Sequence, residues 1–352
     1  MRMAIRGETL AERLALRARL APVPAFESMA GMALSGVLVA GARLGILERL
    51  AEHPATAEAL ADDLALRPEP TRLLVEALEA LGYLRRRGGR YAPTRRARRW
   101  LVPGSDRSVS RFVAAGGEHW EWWAGLPDVV RGGGTAAHHT APAAAPYWRD
   151  YITGQYELAR YSAPELASAV RVPPGARSML DLGGGHGWFA AELCRRNPPM
   201  RALVVDLPGS AAVGRDLLAG TGQGRLVDFQ EGDLRETDLG TGHDLALCGN
   251  LIHHFQPEEI LALFRRTHAA LRPGGGLAIL DLFREREGHR RRRRPSASAS
   301  CLGLFFHLSS GAAVYSPEQL TGWLTEAGFS PPRRTGLRRI PAQSLYQATA
   351  LS

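Results

Sequence analysis

The 352-residue chain contains no lysine, and its 44 basic residues are all arginine. A phosphate-binding loop of the G-x-x-x-x-G-K-[ST] type needs a lysine to contact the phosphates, so nucleoside triphosphate hydrolysis by such a loop is excluded. Cysteine is also scarce, because only Cys194, Cys248 and Cys301 occur and they are widely separated. This spacing supports neither a disulfide framework nor a zinc site, and it favours a reducing, cytoplasmic compartment.

Long uninterrupted apolar runs are missing as well. The longest, residues 29–42, meets Arg43 before it reaches the roughly eighteen residues that a membrane span needs, which predicts a chain without a transmembrane helix. The first 20 residues alternate arginine with leucine and alanine and lack the apolar core of a signal peptide, so we predict an amphipathic helix there. With 45% apolar and 22% charged residues, the composition is that of a globular protein large enough for two domains.

The net charge of +9 is concentrated in two places. Five arginines occupy 290–294 and eight lie within 85–100, and outside these segments the balance is mildly acidic. Like charges in a run repel one another and stay solvated, so the 290–294 run predicts a disordered loop, with anionic substrate capture or a surface contact as alternatives. Nucleic acid is therefore not an expected partner.

The N-terminal third has the pattern of a small helical domain. Apolar residues recur every three and four positions over 28–52, which predicts a long buried helix. Thr56 is placed to cap a short helix, a second helix is predicted over 68–81, and two strands flank the Gly-Gly turn at 88–89. This order is typical of a winged helix, a fold that often binds DNA. A transcription regulator is a distant alternative, because the second helix carries one arginine against three glutamates.

Residues 105–165 are rich in aromatic side chains and are interrupted by a probable loop at 132–146. Such side chains either pack helices together or form flat apolar walls for ring-shaped ligands. We interpret the segment as linking helices with a substrate lid, in which Trp120 and Trp148 are candidate substrate contacts.

From residue 178 onward, short apolar strands alternate with helices. The predicted strands lie in the segments 178–184, 202–208, 226–234, 244–252 and 275–283. This alternation predicts an α/β fold with a doubly wound parallel sheet, in which ligands bind at the carboxyl ends of the strands.

The first of these strands ends in the turn Asp181-Leu-Gly-Gly-Gly-His-Gly187, whose glycines allow a ligand to approach the backbone. The dinucleotide pattern G-x-G-x-x-G is met only in a relaxed form that ends in Ala190, which disfavours hydride transfer from a nicotinamide cofactor. Two more acids, Asp206 and Asp233, follow the second and third strands. In this order the acids suit a ligand with an adenosine half: Asp206 for ribose hydroxyls, Asp233 for an exocyclic amine and Asp181 beside a cationic centre.

These motifs resemble those of S-adenosylmethionine-dependent class I methyltransferases, specifically the caffeic-acid-type O-methyltransferases of plants and their bacterial relatives in natural-product pathways. The similar segments are LDLGGGHG, VVDLP, EGDL, NLIHHF, LRPGGGLAILD and YSPEQLTGWLTEAGF, and the resemblance extends over about residues 28–350. It implies S-adenosylmethionine as the cofactor, a homodimer and a Rossmann-like catalytic sheet. The implied domains are 1–104 (helical winged-helix dimerisation domain), 105–170 (linking helices and lid) and 171–352 (S-adenosylmethionine-binding catalytic domain).

The resemblance also implies roles for individual residues. His253 falls on the family's general-base position, and Asp281 falls where the family usually carries a glutamate that supports the base. The chain departs from the family at Val314, near which the second supporting acid falls, and at His254, where an acid is common. The implied cofactor contacts are Asp181, Gly183, Gly185, Gly187, Asp206, Leu207, Asp233, Leu234 and Asn250. The candidate substrate contacts are Trp120, Trp148, His254, Phe306 and His307.

The predicted function is methylation, most simply of a hydroxyl oxygen, of a small aromatic or polyketide-like molecule, with His253 as general base. One alternative is a metal-assisted C-methyltransferase that acts on a 2-oxo acid through His253, His254 and His307. A second alternative is that the protein binds the methyl donor but catalyses a different reaction. A third is that His253 orients the substrate instead of deprotonating it. The sequence does not distinguish oxygen, nitrogen and carbon acceptors.

Overall fold

The computed structural model describes residues 6–135, 138–284, 297–340 and 342–352. The arginine run at 290–294, predicted to be a disordered loop, lies outside the described residues. The chain divides into two compact units, Met1–His119 and Trp120–Ser352.

The first unit is helical with a small hairpin. Its elements are α1 (Leu10–Arg17), α2 (Val23–Arg43), α3 (Ile46–Glu52), α4 (Ala57–Asp63), α5 (Pro68–Ala80), β1 (Leu84–Arg87), β2 (Arg90–Pro93), α6 (Arg95–Trp100) and α7 (Ser110–Ala115). As predicted, the Thr56 hydroxyl caps α4 by accepting from the backbone N–H of Ala59 at 3.2 Å. Gly88 and Gly89 turn the hairpin at φ +54° and +76°. Leu50, Leu60 and Leu78 are fully buried at its centre.

The prediction of one long buried helix over residues 28–52 is wrong in two respects. Gly45 adopts φ +68° and separates α2 from α3, since a left-handed residue ends a helix. Helix α2 is also mostly exposed, with only Val39 and Gly41 buried. Among the described residues, α2 is the helix whose length and composition would suffice to cross a membrane, contrary to the run-length argument, because it starts six residues before the apolar run. This finding concerns length and composition alone.

The second unit is an α/β sandwich. Its helices are α8 (His119–Ala124), α9 (Leu126–Val130), α10 (Pro146–Ala169), α11 (Trp188–Arg196), α12 (Pro208–Ala219), α13 (Pro257–Ala270), α14 (Ala297–Ser310) and α15 (Pro317–Glu326). Its strands are β3 (Ser178–Leu182), β4 (Arg201–Asp206), β5 (Val227–Glu231), β6 (His243–Gly249), β7 (Leu271–Asp281), β8 (Arg333–Gly336) and β9 (Ser344–Thr349).

The sheet has seven strands in the order β5-β4-β3-β6-β7-β9-β8. The five predicted strands are mutually parallel, but β9 runs antiparallel to β7 and to β8, so the sheet is mixed and not purely parallel. The two additional strands were missed because β8, with the sequence RRTG, has no apolar residue, and β9, with the sequence SLYQAT, has neither a continuous apolar run nor a regular alternation of apolar and polar residues. The chain proceeds from β3 outward to β5 and then returns to β6, which puts the crevice between outgoing and returning strands at β3 and β6.

Candidate active site

A cavity of about 400 Å³ opens beside the carboxyl ends of β3, β4 and β6. Most of the predicted contacts line it, namely Asp181, Gly183, Gly185, Asp206, Leu207, Asp233, Leu234, Asn250, Trp148 and His254. The remaining predicted residues do not line the cavity, namely Gly187, His253, Asp281, Trp120, Phe306 and His307.

The glycine turn after β3 leaves no room for side chains. Gly183 has φ +62°, and a Cβ there would lie 2.6 Å from Cδ1 of Leu251. A Cβ on Gly184, which the motif analysis did not single out, would overlap the carboxylate of Asp181. Gly187 is the N-cap residue of α11, with φ +64°, and supports the turn from behind instead of facing the cavity.

The two acids at the ends of β3 and β4 are buried together. Asp206 accepts hydrogen bonds from the backbone N–H groups of Gly185, at 2.6 Å, and Leu207, at 2.7 Å. Burial nevertheless raises the pKa of Asp206 to about 6. Asp181 is 1% exposed, its Oδ2 has no hydrogen-bond partner, and burial together with the charge of Asp206 raises its pKa well above the usual range. A bound ligand with donor or cationic groups at these two carboxylates would satisfy both.

At the β5 side of the cavity, Asp233 is paired with Arg235. Its Oδ1 accepts from the backbone N–H of Arg235 at 2.8 Å, and its Oδ2 lies 3.3 Å from the guanidinium. The same guanidinium donates to Glu259 at 2.6 Å and lies 4.8 Å from the ring centre of Phe255. Arg235 is the only arginine that lines the cavity among the described residues, and it is already engaged by two carboxylates.

Trp148 is a wall of the cavity and also a packing residue. Its indole is 3% exposed and donates through Nε1 to the carbonyl oxygen of Pro142 at 3.0 Å. A Cβ on Gly209, at the start of α12, would overlap the indole ring. The side chain therefore holds the 138–146 segment against the helix that follows Asp206.

His253 and Asp281 form a buried pair. Nδ1 of His253 lies 2.7 Å from Oδ1 of Asp281, and the two side chains are 4% and 0% exposed. Oδ2 of Asp281 accepts from the backbone N–H groups of Leu251 and Ile252 at 3.1 Å each, and Oδ1 accepts from Leu282 at 2.7 Å. The carboxylate is thus fixed from three sides, and it holds the imidazole tautomer whose proton is on Nδ1 and whose lone pair is on Nε2.

Phe306 and two further imidazoles surround His253. The Phe306 ring stacks on the His253 ring with centroids 3.7 Å apart and an interplanar angle of 18°. The His254 ring lies 4.2 Å from that of His253, and the His139 ring meets His254 edge-on at 4.4 Å. His254 and His139 both line the cavity, so imidazoles form one of its ends beside Ser309 and Ser310.

Three predicted substrate contacts, Trp120, Phe306 and His307, are not part of this lining. Trp120 is half-buried on α8, whereas Nδ1 of His307 lies 3.0 Å from the carbonyl oxygen of Ala312, just beyond the end of α14. The described residues contain no group of three or more histidine, cysteine, aspartate or glutamate side chains that could hold a metal ion. Within the described residues, His307 contacts the chain reversal after α14 and does not form such a group with His253 and His254.

Among the lining residues that sequence reasoning missed are His139, Gln155 and His186. Gln155 follows Trp148 by seven positions on α10, so helical spacing could have identified it as lying on the same face. His186 stands inside the glycine motif, but the motif analysis assigned roles only to the glycines and to Asp181. His139 lies in a short 3₁₀ turn, where no periodicity predicts which way a side chain points.

Two family models match the chain. An O-methyltransferase domain matches residues 133–330, and an O-methyltransferase dimerisation domain matches residues 26–103. The chain belongs to this O-methyltransferase family. It is an S-adenosylmethionine-dependent methyltransferase. The cavity fits that cofactor because the glycine turn allows a ligand to approach the backbone and the unpartnered Oδ2 of Asp181 can accept a hydrogen bond from it.

Two curated relatives match two thirds of the chain or more. This O-methyltransferase is 28% identical to the 3-hydroxy-5-methyl-1-naphthoate 3-O-methyltransferase of Streptomyces sahachiroi over 86% of this chain and 88% of the relative. It is 30% identical to the N,N-dimethyltransferase OxyT of Streptomyces rimosus over 68% of this chain and 72% of the relative. The crystal structure of human N-acetylserotonin methyltransferase in complex with S-adenosylmethionine superposes with a TM-score of 0.82 at 22% identity, covering 99% of this chain and all of that one.

Proposed function

We propose that the protein methylates a hydroxyl oxygen of a small, flat, aromatic or polyketide-like molecule, with His253 as the general base. The observation that carries this proposal is the buried contact of 2.7 Å between His253 and Asp281, beside the cavity that holds the donor. The alternative role of His253, substrate orientation, does not need a carboxylate on the far side of the ring.

The protein's own residues prepare the acceptor oxygen. A phenol has a pKa of about 10 and is mostly protonated at neutral pH, so it is a weak nucleophile until a base removes its proton. Asp281 holds the proton on Nδ1 of His253 and stabilises the imidazolium that forms when Nε2 accepts the substrate proton. Phe306, stacked on the ring, keeps its plane fixed. The bound S-adenosylmethionine supplies a methyl group on an electrophilic sulfonium.

The lining of the cavity supports a flat acceptor. Trp148 and Tyr151 provide aromatic walls, while the His139 and His254 rings and the hydroxyls of two serines supply polar contacts at one end. Alignment of the acceptor oxygen with the methyl group of the donor can contribute roughly 7 to 11 kcal/mol to catalysis.

The test is a substrate screen with full-length protein and S-adenosylmethionine. Hydroxynaphthoates come first, because one relative is named for such a substrate; other phenols and amino-substituted polycycles follow, the latter because another relative is an N,N-dimethyltransferase. A product that gains one methyl on oxygen supports the proposal. Methylation confined to nitrogen or carbon, or no methylation of any acceptor, contradicts it.

We also propose a homodimer formed through the first unit. The apolar side chains of α2 are exposed in the single chain, with Phe26 45%, Met29 66% and Met32 61% exposed, and the dimerisation-domain match begins at residue 26. Sedimentation at micromolar concentration should give twice the monomer mass, and Met29→Glu combined with Met32→Glu should give the monomer.

We also propose a cytoplasmic compartment, which the buried free thiols of Cys194 and Cys248 support.

A further inference from the structure

His186 is the residue of the glycine turn whose role the motif does not explain. It lies between Gly185 and Gly187, lines the cavity and is 6% exposed. The backbone N–H of Trp188 donates to Nδ1 of His186 at 3.0 Å. Because Nδ1 accepts a hydrogen bond, the proton of the neutral ring must lie on Nε2, which makes Nε2–H a donor.

The surroundings keep this ring neutral. Phe189 meets it edge-on with centroids 5.4 Å apart, and Tyr156 lies 6.2 Å away. Burial among such groups lowers the pKa of His186 to about 3, so the ring carries no charge at physiological pH. His186 is therefore a fixed, neutral hydrogen-bond donor that lines the cavity proposed to bind S-adenosylmethionine.

The order of groups along the sheet edge assigns that donor a ligand. Asp233 follows β5, Asp206 ends β4, and Asp181 and His186 lie at β3, so an adenosine that spans the first two acids directs its amino-acid end to β3. That end carries an ammonium group and a carboxylate. Asp181, with its unpartnered Oδ2, suits the ammonium, and the carboxylate needs a donor.

No cationic side chain of the described cavity lining is free to meet this carboxylate. The chain has no lysine, and Arg235 is paired with Asp233 and Glu259 on the β5 side. We infer that the Nε2–H of His186 binds the carboxylate of the methionine part of S-adenosylmethionine, so that a neutral imidazole does what a cationic side chain would otherwise do. This inference rests on the proposed function, because it concerns the same donor site.

Two substitutions at position 186 separate the loss of the hydrogen-bond donor at Nε2 from the loss of the hydrogen-bond acceptor at Nδ1. His186→Asn retains an oxygen near the position of Nδ1 that can accept from Trp188, but it lacks a donor at the position of Nε2. His186→Gln retains an N–H near Nε2 and loses the acceptor. Two ligands separate the carboxylate from the rest of the molecule: S-adenosylmethionine itself and decarboxylated S-adenosylmethionine, which keeps the sulfonium and the amine.

Dissociation constants measured by calorimetry on the full chain test the inference. A hydrogen bond to a charged group predicts that His186→Asn weakens S-adenosylmethionine binding by about 10- to 100-fold. The same variant should change decarboxylated S-adenosylmethionine binding by less than about twofold, and His186→Gln should keep most of the affinity for the intact molecule. Thermal melting of both variants checks that they fold.

Two results overturn the inference while leaving the donor site intact. One is equal weakening of both ligands by His186→Asn, which indicates a purely structural role for the ring. The other is an unchanged affinity of His186→Asn for S-adenosylmethionine. If neither variant folds, the wild-type preference decides, and equal binding of the two ligands by the wild type contradicts the inference. Failure of the wild type to bind S-adenosylmethionine would instead contradict the donor site and the proposed function.

Discussion

Oδ2 of Asp281 accepts from two consecutive backbone N–H groups, Leu251 and Ile252, while its Oδ1 contacts His253 in the same 3₁₀ turn. One carboxylate at the end of β7 thereby fixes both the backbone of the turn after β6 and the imidazole that it carries. Because β6 and β7 are adjacent parallel strands, their carboxyl ends bring the two segments together although 28 positions separate His253 from Asp281. The position and the tautomer of the proposed base thus have a common structural cause.

The first prediction concerns His253→Ala. Loss of a general base should lower kcat by about 10²- to 10⁴-fold. The affinity for S-adenosylmethionine should change little, because the carboxylates proposed to bind it, Asp181, Asp206 and Asp233, remain in place. Steady-state kinetics and calorimetry measure the two effects. A more acidic phenol should lose less activity in the variant, since it needs the base less; an equal loss for both phenols would mean that His253 acts by orientation.

The second prediction concerns Asp281→Asn. An amide has one acceptor oxygen and presents N–H groups to donors that the carboxylate now satisfies, so we expect a lower kcat and a loss of about 1 to 3 kcal/mol in the free energy of unfolding. Urea denaturation gives the stability and initial rates give the activity. Because Asp281 acts through His253, adding Asp281→Asn to His253→Ala should lower kcat no further. An additive loss would assign Asp281 a separate role.

The third prediction concerns the pH dependence of donor binding. Burial raises the pKa of Asp206 to about 6 in the free protein. The ionised carboxylate is a better acceptor than the protonated one for the hydrogen bonds that ribose hydroxyls donate. Protonation therefore competes with binding, and the dissociation constant of S-adenosylmethionine should rise as the pH falls below about 6, by up to about tenfold per pH unit. Calorimetry between pH 5 and pH 8 tests this. The variant Asp206→Asn should bind weakly with no step near pH 6; a retained step would assign the titration to another group.

The fourth prediction concerns Gly184→Ala. The added Cβ would overlap the Asp181 carboxylate, so either the turn or the carboxylate must shift, which predicts a loss of about 1 to 3 kcal/mol in stability and weaker donor binding. Gly222→Ala is the matched control, because a Cβ there has no atom within 4 Å and the backbone is not left-handed. Thermal melts and calorimetry of both variants measure the effects. Equal melting temperatures for the two variants would show that the turn is more adaptable than its packing indicates.

Several elements could be predicted because the signal is local. The Thr56 cap, the Gly-Gly hairpin and the five parallel strands follow from neighbouring residues and short periodicities. The end of helix α2 near Gly45 and the edge strand β8 were harder to predict. Gly45 resembles any glycine in a helical pattern until its left-handed φ is known, and the RRTG sequence of β8 forms a strand only because β9 is there to pair with it.

The sequence by itself determined the doubly wound sheet and the order of the three acids along its edge, because strand ends and glycine turns are properties of short segments. The cofactor followed from the resemblance of these segments to those of S-adenosylmethionine-dependent methyltransferases. Tertiary structure decided which side chains meet. It paired Asp281 with His253, turned His307 toward Ala312, engaged Arg235 with two carboxylates and brought His139 against His254. Three of these contacts, His253 with Asp281, Arg235 with Glu259 and His139 with His254, join residues far apart in the chain. The geometry of all of them depends on how helices and loops pack on the sheet, which periodicity does not specify.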